Sequence, residues 1–272
     1  MPTLPINDID IYYEDLGQGE PLVMIPGLGG TVELFAPQIA YFRQFYRVIV
    51  LDNRGAGRSS TPPGPYSMDQ LAADLAGLLD ALKITQPVRL LGASMGGVIA
   101  QCFIHNYPER VKQLVLVCTG VSGGDPHITL PPMSVLQKLS APGNTPRERL
   151  ASLFSIFYPP AFLEANPDLI DKALAFAAVV APQPSHARTA QLQAVQDVRP
   201  YYKWLAEITV PTLIMHGEED LVWPLKNART LQEGTQGRAE LALFPGAGHV
   251  LFQEQPAAFN ARLEAFLKRD GA

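Results

Sequence analysis

The chain has 272 residues, 47% of them hydrophobic and 17% charged, and a formal net charge of −5 at pH 7. This composition is typical of one large globular domain, with or without an inserted part, and excludes a disordered or fibrous chain. No basic block is present, so we expect neither nucleic acid nor an anionic membrane as a partner. Because no apolar run approaches about 20 residues and the first residues lack an export signal, we expect no membrane span and a cytoplasmic location.

The strands can be predicted in chain order. The opening segment LPINDIDIYYED alternates polar and apolar residues, which predicts an antiparallel hairpin at a sheet edge. Six later β-rich runs lack that alternation, as expected for strands buried on both faces of a parallel sheet. These runs are residues 22–27, 47–52, 88–92, 114–118, 212–217 and 239–246.

Amphipathic stretches separate these runs. Residues 68–82 place their leucines on one face, residues 97–107 follow the third run, and residues 256–268 close the chain with Pro256 at the start. Strand and helix in alternation predict an α/β doubly wound domain. The two cysteines, Cys102 and Cys118, fall in apolar segments and are expected to be small core residues.

The strand signal is missing between residues 120 and 208, where helix starts occur instead. Thr145 and Glu148 form a predicted capping box, Asn166 before a proline predicts a second helix start, and Ser185 a third. We therefore predict a core of residues 1–120 and 208–272, with a helical cap, or lid, of residues 121–207 inserted after the sixth strand.

The segment GASMG, residues 92–96, joins the third buried run to its helix. It fits the pattern G-x-S-x-G, which places Ser94 at the tip of a strained strand-to-helix turn at the carboxyl edge of the sheet. The alternative is a plain serine and glycine loop, which the strand-to-helix context disfavours. Ser94 is therefore the predicted nucleophile, and the first N–H groups of the helix, above all that of Met95, are predicted to stabilise negative charge.

A serine nucleophile needs a base, and the base needs an orienting acid. Among five histidines, His249 follows a glycine-rich loop after the last strand, which predicts it at the same sheet edge as Ser94. The others are predicted at a helix end, in the cap and in the core: His105, His127, His186 and His216. The loop after residues 212–216 offers Glu218, Glu219 and Asp220 as acids; its position on the loop favours Asp220, and either glutamate is the alternative.

These residues lie in motifs that carry a resemblance. IPGLGG, DNRGAGRSS, GASMGG, GEED and GAGH occur in this order. The chain resembles the α/β-hydrolase superfamily over nearly its whole length, and within it the branch of 3-oxoadipate enol-lactonases and small carboxylesterases. The resemblance implies an α/β-hydrolase fold, a mostly parallel sheet flanked by helices. It also favours Asp220 as the acid, with either glutamate as the alternative.

The resemblance further implies an oxyanion hole built from the backbone N–H groups of Leu28 and Met95. The family's first loop often begins with His-Gly, whereas this chain has Pro26-Gly27. The donor is a backbone group, so the hole is expected to survive. The implied reaction is attack of Ser94 on an ester or lactone carbonyl, with an acyl-enzyme intermediate and no cofactor. No H-E-x-x-H, paired Cys/His spacing or dinucleotide fingerprint is present, so we expect neither a metal nor a nucleotide.

The cap is expected to set the substrate. Its many apolar side chains predict an apolar entrance to the substrate pocket. The candidate substrate-binding residues are Gly27, Phe154, Phe157 and Val250. Most cap side chains are alternatively expected only to attach the cap to the core. An apolar entrance favours an acyl chain or aromatic acid, including acyl-homoserine lactones, over a dicarboxylate. The predicted partner is a small apolar ester or lactone, and the protein a monomer or homodimer.

Other functions stay open. A serine at the tip of the strand-to-helix turn argues against haloalkane dehalogenases and epoxide hydrolases, which resemble this fold but have aspartate as the nucleophile at that position. Thioesterases, C–C bond hydrolases, hydroxynitrile lyases and perhydrolases share the triad, because one fold hosts many chemistries. A non-catalytic binder of the hydrolase fold is the alternative from another class.

Overall fold

The computed structural model describes residues 3–140 and 143–269, so the outer ends of the predicted core, residues 1–2 and 270–272, lie outside it. Eight strands form one sheet in the order β1-β2-β4-β3-β5-β6-β7-β8. Their bounds are β1 Thr3–Ile6, β2 Ile9–Leu16, β3 Pro21–Ile25, β4 Arg47–Leu51, β5 Val88–Ala93, β6 Val111–Val117, β7 Thr212–Gly217 and β8 Glu240–Phe244.

The strand pairing confirms the predicted sheet. β1 and β2 form an antiparallel hairpin, and β2 also pairs antiparallel with β4. All other neighbouring strands are parallel, from β4 through β8. Each of the six predicted runs overlaps one of these parallel strands, although β3 begins one residue earlier, β5 ends one residue later and β6 begins three residues earlier than predicted. The carboxyl ends of β5, β7 and β8 therefore open at one edge of the sheet.

Both faces of the sheet are buried, which explains why the runs do not alternate. Along β3, Leu22 and Met24 pack into one apolar cluster, while Val23 and Ile25 pack into another on the opposite face. All four side chains are fully or almost fully buried. Burial of apolar surface on both faces contributes roughly 25 cal/mol per Å² to folding, which stabilises the central strands.

Helices cover both faces. α2 begins behind a capping box formed by Ser67 and Gln70. The helix after Ser94 begins at Met95, two residues earlier than the sequence pattern indicated. The helix bounds are α1 Ala36–Phe42, α2 Met68–Ala81, α3 Met95–Asn106, α4 Met133–Ser140, α5 Pro146–Phe157, α6 Pro160–Ala165, α7 Leu169–Ala177, α8 Ser185–Val195, α9 Tyr201–Leu205, α10 Lys226–Gly234, α11 Leu251–Glu254 and α12 Pro256–Leu267.

Helices α4 to α9 occupy the chain between β6 and β7. The capping box of Thr145 and Glu148 is present at the start of α5. The predicted helix start at Asn166 is wrong: its side-chain amide donates to the Phe162 carbonyl at 2.9 Å, so Asn166 ends α6. The next helix, α7, begins only at Leu169. The division into core and cap stays a prediction.

Other expectations concern the whole chain. Cys102 and Cys118 are buried and free of disulfides. Within residues 3–140 and 143–269, no helix combines the length and apolarity that crossing a membrane requires.

Candidate active site

Three side chains meet at the carboxyl edge of the sheet. Ser94 lies between β5 and α3, Asp220 follows β7, and His249 follows β8. Parallel strands end on the same side, so residues that follow them are brought together although they are far apart in sequence. The alternatives Glu218 and Glu219 are both exposed.

Ser94 is held in a strained conformation. Its φ of 54° and ψ of −122° lie in a region that residues other than glycine rarely adopt. The turn leaves no room for side chains beside it: a Cβ on Gly92 would lie 2.2 Å from the Gly96 carbonyl oxygen, and one on Gly96 would lie 2.1 Å from that of Ile25. The two glycines of the motif are thus sterically required, and they let the turn present the Ser94 hydroxyl at the sheet edge.

The three side chains form a hydrogen-bonded chain. His249 Nε2 lies 3.1 Å from Ser94 Oγ, and His249 Nδ1 lies 2.9 Å from Asp220 Oδ2. If Nδ1 carries the proton and donates to the carboxylate, Nε2 is left to accept the hydrogen of the Ser94 hydroxyl. The arrangement can therefore withdraw a proton from Ser94.

The Asp220 carboxylate is buried but well supported. Its Oδ1 accepts hydrogen bonds from the backbone N–H groups of Val222 at 2.8 Å and Trp223 at 2.9 Å. Burial raises the pKa of Asp220, but the neighbouring His249 and these donors outweigh it and hold the pKa below its usual value. Asp220 is therefore ionised at neutral pH and favours a positive charge on the imidazole.

The other histidines lie away from the hydroxyl. His216 is fully buried, and its Nε2 donates to the Trp223 carbonyl at 2.7 Å, while its Nδ1 has no partner among the described residues. Burial lowers the pKa of His216, so it stays neutral. His105 stacks on Trp204, and His127 and His186 bond to groups outside the triad.

The first loop lies directly beside Ser94. A Cβ on Gly27 would come within 3.0 Å of Ser94 Cβ, so only glycine fits without a shift. The loop is shaped by a Gly30 N–H to Gly27 carbonyl bond of 3.1 Å and by the Asn53 amide, which donates to the Pro26 carbonyl at 2.9 Å. Among the described residues, the N–H groups of Leu28 and Met95 have no hydrogen-bond partner. Both are free to bind an oxyanion.

A glutamine from α8 also fixes this loop. Gln191 is fully buried, accepts the Gly29 N–H at 2.9 Å and donates to the Arg54 carbonyl at 2.7 Å. Gln183 donates to the same Gln191 oxygen at 2.8 Å. This contact was not predicted, because 162 residues separate Gln191 from Gly29 and no local pattern indicates it.

The candidate substrate-binding residues occupy different environments. Phe157 ends α5, and its ring centroid lies 5.4 Å from that of His249. Phe154 packs edge-on against Tyr158 at 5.3 Å, and both contact the apolar cluster beneath. Val250 is buried in the same cluster. Of the three apolar candidates, Phe157 is the one with a ring contact to the triad.

Trp223 was missed by the sequence analysis. Its indole Nε1–H donates to Ser94 Oγ at 3.3 Å, while its own backbone N–H supports Asp220. Its place three residues after Asp220 was the available signal, but no local pattern gives the direction of the ring, which lies where a Cβ on Gly120 would come within 2.8 Å of it. Trp223 thus contacts both ends of the hydrogen-bonded chain.

One cluster offers possible metal ligands. Ligand atoms of Cys118, Asp220 and His249 lie within 4.8 Å of one another. Burial raises the pKa of the Cys118 thiol well above its usual value, which disfavours the thiolate that a metal requires. Asp220 and His249 are already bonded to each other, so the donor set fits a hydrogen-bonded pair better than a metal ion.

Comparison with known proteins places the chain. A family model described as the α/β-hydrolase fold matches residues 20–256. The chain belongs to the α/β-hydrolase family. The 3-oxoadipate enol-lactonase 2 of Acinetobacter baylyi is 33% identical over 269 residues, covering 98% of this chain and 96% of the relative.

Solved structures of α/β hydrolases are also similar. An N-acyl homoserine lactone degrading enzyme superposes with a TM-score of 0.81 at 29% identity, covering 97% of this chain and all of the other. A bromoperoxidase from Bacillus anthracis superposes with a TM-score of 0.80 at 27% identity over 96% of both chains. The relatives named as lactone hydrolases make hydrolysis of an ester or lactone plausible for this family member. The bromoperoxidase is a relative named for a different reaction.

Proposed function

We propose that the protein is a serine hydrolase that cleaves carboxylic esters or lactones through an acyl-enzyme on Ser94. The single observation that carries the proposal is the continuous chain from Ser94 Oγ through His249 to Asp220, with distances of 3.1 Å and 2.9 Å. Both are within hydrogen-bond range, and the partly exposed nucleophile stands on a turn at the carboxyl edge of the sheet.

Acylation begins with proton transfer. His249 Nε2 takes the proton of Ser94 as its oxygen attacks the substrate carbonyl, and Asp220 stabilises the imidazolium that forms. The N–H groups of Leu28 and Met95 donate to the oxyanion of the tetrahedral intermediate. Loss of one such donor typically costs 10²–10³-fold in kcat, so the free state of both groups is an important support for the proposal.

Collapse of the intermediate completes the first half. His249 returns the proton to the leaving alcohol oxygen, the bond from the carbonyl carbon to that oxygen breaks, and the acyl group stays on Ser94. In a lactone, the alcohol remains tethered to the acyl chain. A water molecule, deprotonated by His249, then attacks the acyl carbon; the bond from that carbon to Ser94 Oγ breaks, His249 returns the proton to Oγ, and the carboxylic acid is released.

The finer proposal concerns the substrate. Phe157 places an aromatic ring beside His249, which favours an apolar group next to the scissile bond. The relatives named as an enol-lactonase and an acyl homoserine lactone degrading enzyme support a lactone, and the second of these fits an apolar acyl chain. We therefore propose medium-chain esters and lactones, including acyl-homoserine lactones, as the substrate class.

A labelling experiment tests the nucleophile. A serine-directed organophosphonate is expected to add one adduct to the peptide that contains Ser94, found by mass spectrometry, and none to Ser94→Ala. Ser122→Ala, a buried serine whose hydroxyl bonds to the Asp197 carbonyl, is the matched control and should label normally. An adduct elsewhere, with ester turnover intact, would refute Ser94 as the nucleophile.

A substrate panel tests the reaction class. Lactones, oxygen esters, thioesters and peracid formation should be compared at matched acyl length. Highest kcat/KM on an oxygen ester or lactone is the expected result. Preference for a thioester or a C–C bond substrate would support the other chemistries of this triad, and no turnover at all would favour a binder.

A further inference from the structure

Glu254 binds the backbone on both sides of His249, the candidate base. It ends α11, and its Oε2 accepts the backbone N–H of Gly248 at 2.8 Å while its Oε1 accepts that of Val250 at 3.0 Å. One carboxylate therefore accepts from the backbone N–H groups of the residues immediately before and after His249. Since each oxygen serves a different peptide, the backbone of His249 cannot turn without breaking one of these bonds.

The remaining N–H of this loop is also held. The His249 N–H donates to the Phe157 carbonyl at 2.8 Å. Three successive peptide groups thus have fixed acceptors, two on Glu254 and one on α5. This matters because the imidazole must reach Asp220 with one nitrogen and Ser94 with the other, and a small loop rotation lengthens both contacts at once.

The charged and titratable groups around Glu254 determine its ionisation. Among residues 3–140 and 143–269, no Lys or Arg forms an ion pair with Glu254. The titratable groups that face it are Tyr158 at the end of α5, Cys118 after β6, Asp220 after β7 and His249 on its own loop. Burial raises the pKa of Glu254 to about 7, and the two backbone hydrogen bonds oppose this only in part.

We propose that Glu254 is a positioning residue for His249, whose ionised carboxylate fixes the histidine loop and whose protonation releases half of that hold. The inference rests on the proposed function, in which His249 is the base. An ionised carboxylate accepts with both oxygens, whereas a carboxylic acid presents a hydroxyl hydrogen to one of the two N–H groups. The charged form also favours the imidazolium that the reaction creates. Activity therefore depends on two ionisations, those of Glu254 and His249.

The test is a pH profile of Glu254→Gln. In wild type, protonation of Glu254 should lower kcat/KM about tenfold on top of the unit-slope fall caused by protonation of His249, so part of the acid limb of log kcat/KM should be steeper than one. In the variant the limb should have a slope of one, and kcat at pH 8 should fall about tenfold with KM within about twofold, since one charge-assisted hydrogen bond is lost. Glu264→Gln is the control: that glutamate pairs with Lys268 and Tyr41 on the surface, and its profile should match wild type.

A second readout does not need turnover. The amide NMR signals of Gly248 and Val250 should titrate near neutral pH in the resting protein, with a component that Glu254→Gln removes. If the glutamine variant does not fold, Glu254→Asp takes its place: it keeps the charge but is too short for both bonds, so kcat should fall while the steep acid limb remains.

Two results would overturn the inference. One is a Glu254→Gln profile with the slope and kcat of wild type. The other is amide signals that titrate identically in wild type and variant. A protein that hydrolyses no ester but shows the Glu254-dependent titration would refute the proposed function while supporting the hold on the loop, so the two failures are distinguishable.

Discussion

Replacing Phe157 by alanine should move the acyl-chain optimum of the enzyme toward longer substrates. The ring centroid of Phe157 lies 5.4 Å from that of His249, so truncation opens space beside the reacting atoms. The Phe157 carbonyl that accepts the His249 N–H belongs to the backbone and stays in place in the variant. The change therefore tests the pocket wall while the loop contact is kept.

The magnitude follows from the burial of methylene groups. Each methylene buried in the transition state contributes roughly 0.8 kcal/mol, which is nearly fourfold in kcat/KM. In wild type, kcat/KM should rise by up to this factor per methylene until the chain meets Phe157, and then fall. In Phe157→Ala the rise should continue into longer chains, with each additional accommodated methylene worth about the same factor.

The assay is kcat/KM for p-nitrophenyl esters from acetyl to decanoyl, with Phe154→Ala as the matched control. Phe154 packs against Tyr158 at 5.3 Å, so its truncation should lower the melting temperature and leave the optimum unchanged. A flat profile in wild type, or an optimum that shifts only in Phe154→Ala, would refute the placement of the acyl group against Phe157. The lactone and medium-chain proposal would then lose its main physical support.

Four further predictions test the site. Asp220→Asn should lower kcat by about 10⁴-fold, as in serine protease triads, whereas Glu219→Gln should change it little; the reverse result would move the acid by one residue. Trp223→Phe keeps an aromatic but smaller ring and removes the indole N–H, so kcat should fall roughly two- to tenfold with KM nearly constant, and an unchanged kcat would show that the contact is incidental. Gln191→Ala leaves the Gly29 N–H and a buried carbonyl unpaired, which should cost about 1–3 kcal/mol in urea unfolding and lower kcat; loss of stability alone would limit its role to packing. Because the pKa of Glu254 is raised from 4.5 to about 7 in the folded protein, its contribution to stability is fully present below its unfolded pKa and is lost as pH rises through about 7. The melting temperature of Glu254→Gln should therefore rise relative to that of wild type over this pH range. A difference in melting temperature that does not change with pH would contradict this sign.

Local pattern determined most of the fold from sequence alone. Buried runs without alternation predicted each parallel strand, because strands covered on both faces need apolar residues at every position. The turn at Ser94 was also predictable from sequence, because the two glycines that it requires for steric reasons lie within five consecutive residues. His249 and the acidic loop were assigned to the same edge from strand order, which fixes where successive parallel strands end.

Tertiary packing determined the contacts between residues that are distant in sequence but adjacent in space. Trp223 reaches Ser94 with its ring in space that a side chain on Gly120 would fill, and Gln191 reaches Gly29 across 162 residues of chain. The environment of Glu254 could not be predicted either, because the sequence does not distinguish an exposed glutamate from one that binds the histidine loop. The wrong helix start at Asn166 has a related cause, since its amide bonded backwards to Phe162 instead of capping the next helix. Sequence periodicity reports which face of an element is buried, whereas hydrogen bonds between distant loops depend on distances that exist only after the elements have packed.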